Sequence, residues 1–183
     1  MKTPVLETER LILRPVTMDD APSLQKHFNN WNIIRRIGVN APWPYPEDGA
    51  ESFLKMQQEF IRDGKVFLWT INLKDAPNEA IGLIEFRFRE EMDDNRGFWL
   101  SEDHWGHGYM SEAVEATQDW IFFELGKDKV IAKNAFDNVA SRRVKEKTGA
   151  RHIGQDVGKY HEGEKVQDIW EITAESWRAY RNG

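Results

Sequence analysis

The chain contains no cysteine, which removes disulfides, thiolate metal sites and a cysteine nucleophile from consideration. Histidine is sparse, with 5 residues scattered without metal-ligand spacing, so no metal is expected. Long apolar runs are also missing. Aromatic-aliphatic stretches such as Trp120 to Phe123 are far too short to cross a bilayer, so no membrane partner is expected. Glu7, Glu9 and Arg10 lie among the first apolar residues, which does not suit a signal peptide; a cytoplasmic location is the expectation. Excess positive charge is lacking too. A net charge of −6 disfavours broad binding to nucleic acid backbones.

What remains is an ordinary globular composition. In 183 residues, 40% are hydrophobic and 31% charged, which argues against disorder and suits one domain, residues 1–183, with a proper core. Eight tryptophans is a high count, and several fall outside any clear core period. Arg142, Arg143, Lys145 and Lys147 form a local basic stretch. It reads as a solvated helix face, or as a surface for a small polyanion such as a coenzyme.

Periodicity and punctuation place the elements. Strands are expected over Arg10 to Val16, Val66 to Leu73, Ala80 to Phe88, Arg96 to Leu100 and Lys129 to Ala135. A final hairpin is expected from Arg151 to Tyr160 and Lys165 to Ile172, around Glu162-Gly163-Glu164. Helices are expected from Asp19 or Asp20 to Asn29, from Glu47 to Arg62, from Asn138 to Gly149, and in a tail from Ala174 to Arg181. Trp31 to Pro46 reads as a short helix and a loop. Strands and helices mix without strict alternation, which points to an α+β or mixed-sheet domain rather than a doubly wound one.

One turn carries chemistry. Trp105-Gly106-His107-Gly108-Tyr109-Met110 follows a strand and opens a helix. That helix is well marked: Tyr109, Ala113, Ala116, Trp120 and Phe123 recur on one face, and Gly126 sits where a glycine cap belongs. Two glycines one residue apart let the backbone curl until successive N–H groups share a concavity. The first N–H groups of a helix have no carbonyl partner, and the macrodipole adds positive charge there. Such a place receives a phosphate or pyrophosphate, although on the pattern alone an ordinary glycine turn is the simpler reading.

Together with Asn138-x-x-Ser141-x-x-Val144-x-Glu146-Lys147-x-Gly149-Ala150, this turn resembles the GNAT acyltransferases, and more closely their RimJ/RimL-type branch. The opening Thr8-Glu9-Arg10-Leu11-Ile12-Leu13-Arg14-Pro15 and the run Gly97-Phe98-Trp99-Leu100 fit the same branch. The likeness runs in order from residue 8 to about residue 172. It implies a central, largely antiparallel sheet flanked by helices, whose fourth and fifth strands splay apart to admit acetyl-CoA as co-substrate. Pantetheine would lie against Phe98, Trp99 and Leu100. The pyrophosphate would lie on Trp105, Gly106, His107, Gly108, Tyr109 and Met110, and Asn138 would reach the coenzyme from the next helix.

The activity implied is acetyl transfer to a primary amine. A backbone N–H near Trp99 or Leu100 would polarise the thioester carbonyl. Ser141 is the candidate donor of a proton to the departing sulfur, although its hydroxyl can equally bond to the backbone. Many relatives place a tyrosine seven residues after the asparagine; here that position is Lys145. Branch members often carry a glutamate before the glycine of the fourth strand; here Asn95-Arg96 stand there. Glu85 is the best remaining carboxylate for a base, and a structural ion pair with Arg87 suits it as well. Asn138 serves as a helix N-cap, a coenzyme contact, or both.

Met110 departs from the glycine or alanine the family prefers. It either turns away from the phosphates or weakens their binding. Trp31, Trp43 and Tyr45 either line the acceptor pocket or cover the sheet edge. Exposed aromatics would suit a homodimer, as family members often form. The departures at Lys145, Asn95-Arg96 and Met110 leave a second reading, a non-catalytic acyl-CoA-binding protein with the same fold.

Overall fold

The computed structural model describes residues 1–183. Its first half is an antiparallel sheet of β1 (Leu6–Glu7), β2 (Leu11–Pro15), β3 (Val66–Leu73), β4 (Gly82–Arg87) and β5 (Arg96–Leu100), neighbours in that order. A second antiparallel sheet holds β6 (Lys129–Ala135), β7 (Arg151–Tyr160) and β8 (Gly163–Thr173), ordered β6-β8-β7. The helices are α1 (Ala21–Phe28), α2 (Trp31–Ile34), α3 (Gly49–Arg62), α4 (Tyr109–Asp119), α5 (Val139–Lys147) and α6 (Ala174–Asn182). The expected α+β class holds, and no helix is long and apolar enough to cross a membrane.

Alternation along the strands sorts the core onto two faces. Leu13, Trp69, Ile71, Ile84 and Phe86 pack with Ala113, Val114 and Ile121, on the side of α4. Leu68 and Leu83 point the other way and pack with Leu24 and Leu54 of α1 and α3. Each such side chain contributes roughly 1.5–3 kcal/mol on burial. The tail helix is anchored by Trp177, which is fully buried and lies beside Phe122.

The expected single sheet is divided, and the division matters. β5 and β6 touch at Asn95, whose N–H donates to the Ile131 carbonyl at 2.7 Å. Its side-chain oxygen accepts the Ile131 N–H at 2.8 Å, while its side-chain amide donates to the Arg87 carbonyl at 3.0 Å. Asn95 thus answers Ile131 partly with a side chain, and no backbone ladder continues from there. Beyond that contact the strands part, which is the expected splay.

Two elements differ from expectation. β1 is an extra short strand, pairing Leu6 with Leu13 and Glu7 with Ile12. The long helix does not stay α-helical to Leu125; after Asp119 it widens into a π-turn over Trp120–Glu124, closed by the Leu125 N–H on the Trp120 carbonyl. The wider turn accommodates Trp120, Ile121 and Phe122, which are consecutive, bulky and all buried.

Candidate active site

The glycine turn has the backbone its sequence demands. Gly106 has φ +79° and Gly108 φ +81°, the left-handed region that side chains other than glycine's rarely adopt. From Gly106 through Ser111 no backbone N–H finds an acceptor in the protein; the first bond of α4 is the Glu112 N–H on the Gly108 carbonyl. Trp105 through Gly108 are exposed, and a Cβ built on Gly106 meets nothing within 4 Å. A row of unpartnered donors therefore surrounds open space at the positive end of a helix. Met110 does not obstruct it. Its side chain turns into the core, leaving it 8% exposed.

The turn is clamped to the other end of the sheet. Glu112 accepts from the Thr8 hydroxyl at 2.5 Å, the Arg10 N–H at 2.8 Å and Arg10 Nε at 2.8 Å. Arg10 Nη1 donates to the His107 carbonyl at 2.9 Å, and its guanidinium lies 4.6 Å over the Tyr109 ring. Burial works against the Glu112 charge, but the bonds from Thr8 and Arg10 outweigh it and hold the carboxyl below its ordinary range. The motifs around Thr8 and Glu112, separate in the chain, form one device. Its exposed cation, Arg10, lies beside the free N–H groups.

β5 supplies the other wall. Its register with β4 sets Gly97 opposite Glu85 and Trp99 opposite Leu83. On the same ladder the Arg87 N–H donates to the Asn95 carbonyl and the Ser101 N–H to the Ile81 carbonyl, both at 2.7 Å. The two-residue period then turns the backbone groups of Gly97 and Trp99 into β4, and those of Phe98 and Leu100 toward the gap before β6. Trp99 therefore has no N–H left to polarise a carbonyl in the gap. Leu100 and Phe98 do. Trp105 Nε1 caps the outward Leu100 carbonyl at 2.8 Å, tying the turn to the strand.

Side chains on β5 divide between the faces. Phe98 and Leu100 pack on the α4 side, Trp99 on the α1 and α3 side. Phe28 sits 4.9 Å from Trp99 and 5.0 Å from Tyr45, ring to ring. Trp31 lies 5.3 Å from Trp43 and 5.9 Å from His161 of the β7–β8 turn. Trp31, Trp43 and Tyr45 thus form two aromatic groups, only one of which adjoins β5. Burial, helped by Asp48, pushes the Tyr45 phenol up to about 12. Phe28 and His161 were not singled out from sequence; their spacing carries no signal of this long-range assembly.

The candidate acid–base residues are held differently from one another. Glu85 Oε1 accepts from Arg87 Nη1 at 2.8 Å, across Gly97, where a Cβ would come within 3.0 Å of the oxygen. The ion pair with Arg87 is thus present, and Oε2 is buried without a partner. Asn138 caps α5, its oxygen accepting the Ser141 N–H at 3.2 Å. Ser141 does not bond back to the backbone; its Oγ accepts from Lys145 Nζ at 2.8 Å. Lys145 is 2% exposed, so the solvated-face reading of the basic stretch fails at this residue. The i to i+4 spacing was the signal that could have paired them.

Arg96 is also buried, its Nη1 on the Gln118 side-chain oxygen and its Nε and Nη2 without partners. Burial pushes it down to about 10, with Asp94 opposing.

Residues 10–151 match the family model described as the acetyltransferase (GNAT) domain. The chain is 30% identical over 146 residues to the uncharacterised N-acetyltransferase YoaA of Bacillus subtilis, covering 77% of this chain and 79% of that protein. Mycobacterium smegmatis RimJ, solved with a coenzyme A disulfide, superposes with a TM-score of 0.81 at 17% identity, covering 99% of this chain and 98% of that one. The ribosomal-protein-S5-alanine acetyltransferase of Vibrio fischeri superposes with a TM-score of 0.78 at 18% identity, covering 95% and 98%.

Proposed function

Because this chain belongs to the GNAT acetyltransferases, an acetyl-CoA-dependent family, we propose that it transfers the acetyl group to a primary amine, with a protein or peptide α-amine as the favoured acceptor. The observation that carries the reading is the row of unpartnered N–H groups from Gly106 to Ser111, at the mouth of the gap between β5 and β6. Hydrogen bonds to a charged acceptor contribute roughly 1.5–3 kcal/mol each. Several of them suffice for micromolar binding of a diphosphate, which needs about −8 kcal/mol in total.

Bound there, acetyl-CoA would supply an activated thioester. The chain's own groups would do the rest. The turn and Arg10 would hold the diphosphate, and Phe98 and Leu100 would present backbone groups to the pantetheine. The Leu100 N–H is one donor placed to polarise a carbonyl in the gap. Trp99, Phe28 and Tyr45, on the opposite face of β5, fit an approach for the amine.

The preference for an α-amine follows from proton chemistry. An α-amine with pKa near 8 is about one-tenth neutral at pH 7, whereas a lysine-type amine near 10.4 is roughly 250-fold less so. Glu85, the one carboxylate advanced as a base, is engaged with Arg87. The ribosomal-protein-S5-alanine acetyltransferase is named for an alanine, a residue whose only amine is its α-amine, and its fold likeness agrees with this preference. The test is thiol release from acetyl-CoA over peptides with free α-amines, peptides with only lysine amines, and polyamines. Release is expected with α-amine peptides first. Faster release with lysine amines alone would overturn the preference, and coenzyme binding without release on any acceptor would overturn the transfer itself.

A further inference from the structure

Lys145 is a buried ammonium with no carboxylate paired to it. Its single hydrogen bond runs to the Ser141 hydroxyl oxygen at 2.8 Å. Lysine has only donors, so Nζ–H gives and Oγ accepts. The hydroxyl's own hydrogen is then free for another acceptor, and it finds none within the protein. A cation buried on these terms is costly unless something is gained from it.

Its surroundings point to negative charge arriving in the gap. Nζ lies 5.4 Å from the ring centre of Phe98, on the strand whose backbone faces the gap. The charged groups around it are Arg96 from β5, Asp94 from the segment before β5, and Asp168 from β8. Burial and Arg96 disfavour its charge, Asp94 and Asp168 favour it, and the result is a fall to about 7. Arg96 adds a second buried cation with two unpartnered nitrogens.

We propose that Lys145 stands behind Ser141 as its proton source, so that the pair discharges the thiolate that leaves during acetyl transfer. This deepens the acetyl-transfer reading and rests on it. The amine nitrogen bonds to the acetyl carbon as the carbon–sulfur bond breaks, its electron pair passing to sulfur. Ser141 Oγ–H gives its proton to sulfur and receives one from Lys145 Nζ. The surplus proton of the new amide nitrogen leaves to water, and neutral Lys145 takes one back from water. Ser141 touches the reacting sulfur; Lys145 is a positioning residue that acts through it.

The test compares wild type, Lys145→Met, Ser141→Ala and the double variant, with coenzyme A binding followed by calorimetry and turnover by thiol release from acetyl-CoA with an α-amine peptide. All four should bind coenzyme A alike. General acids give about 10²–10⁴-fold, and a thiolate is a good leaving group, so each variant should lose roughly tenfold to a hundredfold in kcat. The double variant should be no slower than the worse single one, as two members of one relay require. The wild-type kcat should fall above about pH 7 as Lys145 deprotonates, and Lys145→Met should lack that limb. An unchanged limb and kcat in a folded, coenzyme-binding Lys145→Met, or wild-type turnover in Ser141→Ala, would overturn the relay alone. No coenzyme A binding by the wild type would overturn the reading beneath it.

Discussion

At the scale of residues, the chain keeps two cations, Arg96 and Lys145, buried together where apolar side chains would pack at lower cost. Lys145 falls from the ordinary lysine value to about 7, chiefly through burial. The sign of the linkage follows. Between about pH 7 and pH 10 the unfolded chain holds a proton on this lysine that the folded chain does not, so stability rises with pH across that window. Below about pH 7 both states are protonated and the folded state carries the full burden of the charge. Lys145→Met should therefore raise the melting temperature most near pH 6.5, by a stabilisation on the order of 1 kcal/mol, with the gain shrinking toward pH 10. Thermal melts of the two proteins over that range check it. A Met variant less stable than wild type at pH 6.5 would show that the ammonium is an asset to the fold.

At the scale of elements, the N-terminus of α4 owes its position to a contact made across most of the chain. Glu112 gathers the Thr8 hydroxyl and the Arg10 N–H and guanidinium, and Arg10 in turn reaches the His107 carbonyl. Glu112→Ala should leave those donors unanswered, costing about 1–2 kcal/mol in chemical denaturation. Coenzyme A affinity should fall as the turn loosens. Loss of stability with unchanged affinity would separate the clamp from the binding turn. The sequence made α4 itself legible, through the periodicity of Tyr109, Ala113 and Ala116, and the two glycines announced their turn. It could not reveal that Thr8 and Glu112 meet, because no periodicity links residues so far apart. Lys145 was hidden for a different reason. A charge within a run of charges looks solvated, and only the packing of α5 shows which one turns inward. The π-turn after Asp119 was masked by Trp120 to Phe123, an apolar run that suits a helix of either width.

At the scale of the molecule, two sheets joined at Asn95 leave a gap with distinct sides. The α4 side carries free N–H groups and Arg10, and the α1 and α3 side carries Trp99, Phe28 and Tyr45. A chain of net charge −6 thus concentrates its anion-seeking features in one place. Backbone amide hydrogen exchange across the chain, with and without coenzyme A, tests this most directly, because the N–H groups in question have no partner in the protein and exchange freely until a ligand takes them. Slowed exchange is expected from Gly106 to Ser111, together with Leu100 and Phe98 on the opposite wall. Saturating coenzyme A that leaves Gly106 to Ser111 as fast as before, while other amides slow, would place the diphosphate elsewhere and contradict the account.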